Sequence, residues 1–264
     1  MMTPMRRAAA AFLAVSPAQA LATPAPPICT DRPTKANATC TVPEGKFQLE
    51  TSAASWTRVH GGGAATDIWQ FGSSIMKLGV SGRSDLQIGF APLVRSETRA
   101  AGETSAVTGI GDVTLRYKHR VTGEQSTAQV AIIPFVKLPT AKRGIGNGKA
   151  EAGLAVPVSL SVGFSTLTFG PEADLLADAD GNGHHVALVN LVNLAGPIAP
   201  QLTLVGEVWT MTNFDPFGTV TLASADAAIA YAVSSAIQFD LGANLGLTRN
   251  TADAELYAGL SMRF

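Results

Sequence analysis

The basic triplet in GDVTLRYKHR (111–120) is the first place where residue type and spacing suggest chemistry. Arg116, Lys118 and Arg120 alternate there with Leu115, Tyr117 and His119. Side chains two residues apart on a strand share a face, so the three cations and Asp112 point one way. Lys137 in the following segment and Arg263 near the end could join them, and Glu172, Asp174, Glu207 and Asp240 fall on matching polar parities elsewhere. Opposed charges around an enclosed space have two uses. They can pair into a packed network, or they can set a transverse field that selects which solutes pass. Asp112, Arg116, Lys118, Arg120, Lys137, Glu207 and Asp240 are therefore the candidate lumen residues, with both uses open.

Two loops invite other chemistry. GIGNGKA (144–150) looks like a phosphate cradle, but Arg143 stands where a nucleotide loop needs its first glycine. Ala150 follows Lys149 where Ser or Thr belongs. DADGNGHH (178–185) places Asp178, Asp180 and Asn182 at alternate positions beside His184 and His185. Oxygen ligands suit calcium and imidazoles suit a transition ion. Asp, Gly and Asn are equally the residues of a tight turn, and the closing glutamate of a calcium loop is missing. An ordinary turn is the expectation; Asp178, Asp180 and Asn182 stay as residual metal candidates, and no cofactor is assigned. A hydrolase in this chain would need a nucleophile within reach of a histidine base. Nothing in the sequence around His60, His119, His184 or His185 selects one, so no catalytic residue is assigned and an enzyme is not expected.

Composition narrows the elements that must carry these residues. The formal net charge of −1 offers no basic surplus for nucleic acid. Only 15% of residues are charged, yet no apolar run reaches the roughly 18 to 20 residues of a membrane-spanning helix. Any membrane crossing must then be made by strands. Residues 1–22, with Arg6 and Arg7 before an apolar stretch and small-residue patterns at Ala18–Ala20 and Ala20–Ala22, read as an export signal. Cys29 and Cys40, the only cysteines, are expected to form a disulfide in an oxidising compartment. They sit in residues 23–44, expected to be a periplasmic segment ahead of the first strand.

From residue 45 the chain repeats about ten residues of alternation followed by turn residues. The segments number about twelve, an even count suited to an antiparallel up-and-down transmembrane barrel over 45–264. AIQFDLGANLGL shows the pattern: Ile237, Phe239, Leu241, Ala243 and Leu245 oppose Gln238, Asp240, Gly242, Asn244 and Gly246. Connections alternate between short ones and longer ones rich in glycine and charge, as a barrel with short periplasmic turns requires. A soluble barrel with its apolar faces inward is the alternative fold. Trp56, Trp69, Trp209, Tyr117 and Phe214 are candidates for the aromatic girdles.

TGIGDVTLRYKHR (108–120), PFVKLPTAKR (134–143), GLAVPVSLSVGF (153–164) and the closing YAGLSMRF together resemble the meta-pathway phenol-degradation family of outer-membrane transporters. That resemblance implies an outer-membrane channel or transporter in a Gram-negative bacterium. The closing strand, with Tyr257, Leu260, Met262 and Phe264, is similar to the signal read by the outer-membrane barrel assembly machinery. Lipid and lipopolysaccharide are the expected surroundings. The expected function is passive passage of small solutes, aromatic or anionic compounds among them. A non-conducting structural or lipid-interacting barrel and a membrane-embedded hydrolase are the competing readings.

Overall fold

A computed structural model describes residues 27–123 and 125–264. The expected export signal, 1–22, and residues 23–26 of the expected periplasmic segment lie outside the described residues. Strand β1 (Phe47–Gly61) runs from the end that carries both described termini to the far end, and β2 (Ala64–Ser81) returns. Next, β3 (Ser84–Phe90) and β4 (Leu93–Ala100) both pair with β2, forming one barrel strand broken at Ala91–Pro92. Against that strand run β5 (Glu103–Gly109), paired with β4, and β6 (Val113–Arg120), paired with β3.

The same device recurs twice. Strand β7 (Ala128–Leu138) pairs with both β8 (Glu151–Ala155) and β9 (Val158–Val162), which are split at Pro157. Then β10 (Ser165–Phe169) and β11 (Glu172–Ala177), split at Pro171, both pair with β12 (His184–Ala199). Proline has no N–H to give a ladder, so it stands at three of the four interruptions. Regular strands continue the wall: β12, β13 (Leu202–Asp215), β14 (Gly218–Ser234) and β15 (Ile237–Gly246). The last, β16 (Ala254–Arg263), pairs with β15 and with β1, closing an antiparallel barrel of twelve strands.

Its two faces are reversed relative to a water-soluble protein. Lys77, Lys118, Gln48, Glu50 and Asp85 are buried, whereas Leu86, Leu115, Val192, Leu241 and Leu245 are 40% to 57% exposed. An apolar outer surface around a polar interior is the arrangement of a transmembrane barrel, and it excludes the soluble alternative. Further expectations change. Among the longer connections expected on the outer side, 57–65, 95–110 and 212–218 are mostly strand, with tight turns at 62–63, 101–102 and 216–217. Ladders that continue beyond the hydrocarbon carry no need for an apolar face, so polar residues extend them. Trp209 shares the inward parity of Glu207 and lies 5.4 Å from Lys35 Nζ inside the barrel, so it anchors no girdle.

Candidate functional site in the barrel lumen

Residues 27–44 do not hang below the wall. They fold into the lumen and bond to inward-facing residues around its circumference. Asp31 is the hub. Its carboxylate accepts from Lys77 Nζ at 2.7 Å and from Lys118 Nζ at 2.6 Å, and its own N–H donates to Glu50. Lys77 also pairs with Glu50. Burial alone would raise the Asp31 carboxyl, but the Lys118 and Lys77 ammoniums and Arg116 outweigh it. They hold the group well below the usual carboxylate range.

Across the lumen the polarity inverts. Arg32 makes a bidentate pair with Asp240, Nη2 to Oδ1 at 2.6 Å and Nε to Oδ2 at 2.9 Å. Fork-to-fork geometry of this kind is the strong form of the pair. Lys35 Nζ meets Asp226 at 2.5 Å, while the backbone N–H groups of Lys35 and Ala36 donate to the two oxygens of Glu207. Asn193 ties that carboxylate to Thr34. The Cys29–Cys40 disulfide closes this segment into a ring, as expected from the cysteine pair. Where the ring's exit crosses β2, Gly79 is required: a Cβ there would lie 2.1 Å from the Pro43 carbonyl oxygen.

The structure places the seven candidate lumen residues as follows. Arg116, Lys118, Arg120, Glu207 and Asp240 all face inward on strands, and Asp112 and Lys137 lie at the far ends of β6 and β7. Arg116 donates to Asn37 of the plug and sits 4.0 Å from Asp31. Lys137 bridges Asp112 at 3.4 Å and Glu151 at 2.9 Å. Arg120 is near the terminal mouth and donates to the Gly82 carbonyl. In the structure most of these charges are paired with one another or with the plug. Asp180 and Asn182 bond to each other across the turn, and Asp178 turns instead toward His185.

Sequence reasoning missed Arg32, Lys35 and Asp31, although a signal was present. Strands β13 to β15 turn Glu207, Asp226 and Asp240 inward and carry no lysine or arginine. Three buried carboxylates in one wall need cations from elsewhere, and the segment CTDRPTKANATC supplies two.

The plug leaves two cavities, each of about 380 Å³, on either side of Arg32–Pro33–Thr34. The one toward the far end includes Asp112, Arg116, Ser52, Ser74 and Phe90. The one toward the terminal end is lined by Ser159, Ser161, Thr166, Thr168, Gln129 and Gln238, and its one charged group is Arg32.

Among solved structures, the "COG4313 outer membrane channel from Pseudomonas putida F1" superposes with a TM-score of 0.66 at 12% identity, covering 86% of this chain and 98% of that one. The translocator domain of the autotransporter NalP from Neisseria meningitidis superposes with a TM-score of 0.52 at 12% identity, covering 84% and 90%. At such identities the likeness is one of fold. No curated protein matches the chain in sequence. The family described as "Putative MetA-pathway of phenol degradation" matches residues 30–264, a span that takes in nearly all of the plug and the whole barrel. The chain belongs to that family.

Proposed function

We propose that this protein is an outer-membrane channel in which the plug narrows the lumen to a path for small, mostly uncharged solutes moving down their gradient. The observation that carries the reading is the pairing of lumen charge. Lys77 and Lys118 are balanced by Asp31 and Glu50 on one side, and Arg32 with Asp240 and Lys35 with Asp226 pair on the other. A paired, buried charge offers little field to a passing ion, whereas the hydroxyl and amide lining toward the terminal end can hydrogen-bond a neutral solute. Phenolic compounds fit that chemistry, and the family description supports them. The similarly folded barrel from Pseudomonas putida F1 is itself an outer-membrane channel. Export by residues 1–22 fits this reading. So do insertion guided by Tyr257, Leu260, Met262 and Phe264, and outer loops set among lipopolysaccharide.

Planar-bilayer conductance of the refolded mature chain, paired with liposome swelling, tests this reading. Small steps with weak ion selectivity, and faster swelling for phenol than for benzoate, are expected. Strong anion preference abolished by Arg116→Ser would overturn the uncharged-solute reading. Silence in both assays from inserted protein would favour a structural barrel.

A further inference from the structure

Three side chains converge at the far rim of the barrel, away from the plug. His185 is the second residue of β12 and faces inward. The β12–β13 ladder pairs Ala187 with Asn213, so two residues further it sets Asp215 opposite His185. The β11–β12 ladder continues past Ala177–His184 through the bond from Asp178 N–H to the Gly183 carbonyl, which brings Asp178 to the other side of the same ring. Backbone register on two separate hairpins therefore gathers the trio.

We propose that Asp178, His185 and Asp215 form a binding site for a single divalent transition-metal ion, of which zinc is the type. His185 Nδ1 lies 2.8 Å from Asp178 Oδ1 and 3.6 Å from Asp215 Oδ2, and the three donor atoms lie within 4.8 Å of one another. An ion with bonds of about 2.1 Å in tetrahedral geometry sets its donors roughly 3.4 Å apart, so Asp178 would move slightly away from the ring and Asp215 slightly toward it. The charge count favours it. One ring nitrogen carries at most one proton, which serves Asp178; the 3.6 Å contact leaves Asp215 outside hydrogen-bond reach of that ring. Asp215 is held instead by the backbone N–H groups of Ala179 and Phe217, and among the described residues no lysine or arginine pairs with either carboxylate, so two carboxylate charges face one imidazole.

A second observation concerns the ring itself. His185 is 8% exposed and turns Nδ1 toward both carboxylates, while Nε2 is buried without a hydrogen-bond partner and would carry the ring's proton when Nδ1 holds an ion. An imidazole with two carboxylates selects a borderline transition ion over calcium, which prefers six or more oxygens. Bound there, the ion would tie the turn at 178–183 to the end of β13 and stiffen one sector of the channel mouth. Asp180 and Asn182, the other sequence candidates, stay outside the site because they satisfy each other.

The test is calorimetric titration of zinc into the refolded mature protein in detergent, with calcium and magnesium as controls and cobalt absorption as a second readout. Saturable one-to-one zinc binding is expected, lost in His185→Gln and in Asp215→Asn and kept in Asp180→Asn. Cobalt should give visible d–d bands that zinc quenches. Cobalt bands absent from the unmutated protein would overturn the site without reliance on any variant's folding. Equal zinc affinity in the unmutated protein and His185→Gln would overturn it too, as would saturable calcium binding in place of zinc.

Discussion

At the scale of single residues the structure turns on Asp31, whose carboxylate is shared by two buried ammoniums. Replacing it by asparagine leaves Lys118 with one carbonyl, that of Ala38, and Lys77 with Glu50. Removing one partner of a buried charge cluster costs about 3–5 kcal/mol. The barrel ladders do not include Asp31, so the loss falls on the seat of the plug. Trypsin reports it: Lys35–Ala36 is cleavable only when the segment leaves the lumen. Asp31→Asn should be nicked there while the barrel's melting temperature changes little. An uncleaved variant would show that Asp31 does not hold the plug. The pH dependence follows from the same group. Its folded pKa lies below its unfolded value of about 3.9, so its stabilising effect is fully present above that value. It is lost only as pH falls through the depressed folded pKa. Release of the plug in the unmutated protein, read by tryptophan fluorescence because trypsin itself fails in acid, should therefore stay flat from pH 8 to pH 5 and rise only in stronger acid. A rise centred near pH 6 would assign the control to another group.

At the scale of elements, the strands were legible and the plug was not. Alternation such as Val113, Leu115 and Tyr117 against Arg116, Lys118 and Arg120 is a two-residue period, and burial on one face fixes its register. Segments with an internal proline, such as 152–162, read as single strands in sequence and remain single strands of the barrel, only interrupted. Residues 27–44 have no period at all. They are held by side chains whose partners lie far away in the chain, as Thr30 finds Ser261 at 231 positions, and single-sequence reasoning cannot see such pairs. The metal trio was half legible for the same reason: Asp178 and His185 are near in sequence, but Asp215 comes from another hairpin. Two constraints define the plug as an element. Its disulfide closes a ring shorter than fifteen residues, a tether contributing about 3 kcal/mol by chain entropy, and Gly79 gives its exit clearance. Cys29→Ser with Cys40→Ser, and separately Gly79→Ala, should each increase trypsin nicking at Lys35. The overpacking at Gly79 costs about 1–3 kcal/mol. If Gly79→Ala were indistinguishable from the unmutated protein, the crossing of residues 42–43 over β2 would be wrong.

For the molecule as a whole, wall and plug differ in what they owe each other. The wall closes through β1 and β16 without any contribution from residues 27–44, and its outward leucines and valines are stabilised by lipid whether or not the lumen is filled. The plug has no ladder of its own and depends on wall carboxylates and ammoniums for its place. Removing residues 27–42 should therefore leave a folded, inserted barrel. Its lumen would then present Lys118 without Asp31 on one side, beside Lys77 still paired with Glu50, and Glu207, Asp226 and Asp240 stripped of Arg32 and Lys35 on the other, all hydrated. A lumen freed of its filling conducts more, and separated charges of opposite sign across it restore the field that pairing had cancelled. Single-channel conductance of the deletion should rise several-fold over the full chain. Its dependence on Lys118 should appear only in the deletion background, because in the full chain Lys118 is bound to Asp31. Equal conductance with and without residues 27–42 would mean that solutes do not pass where the plug lies, and the path would have to be sought outside the lumen.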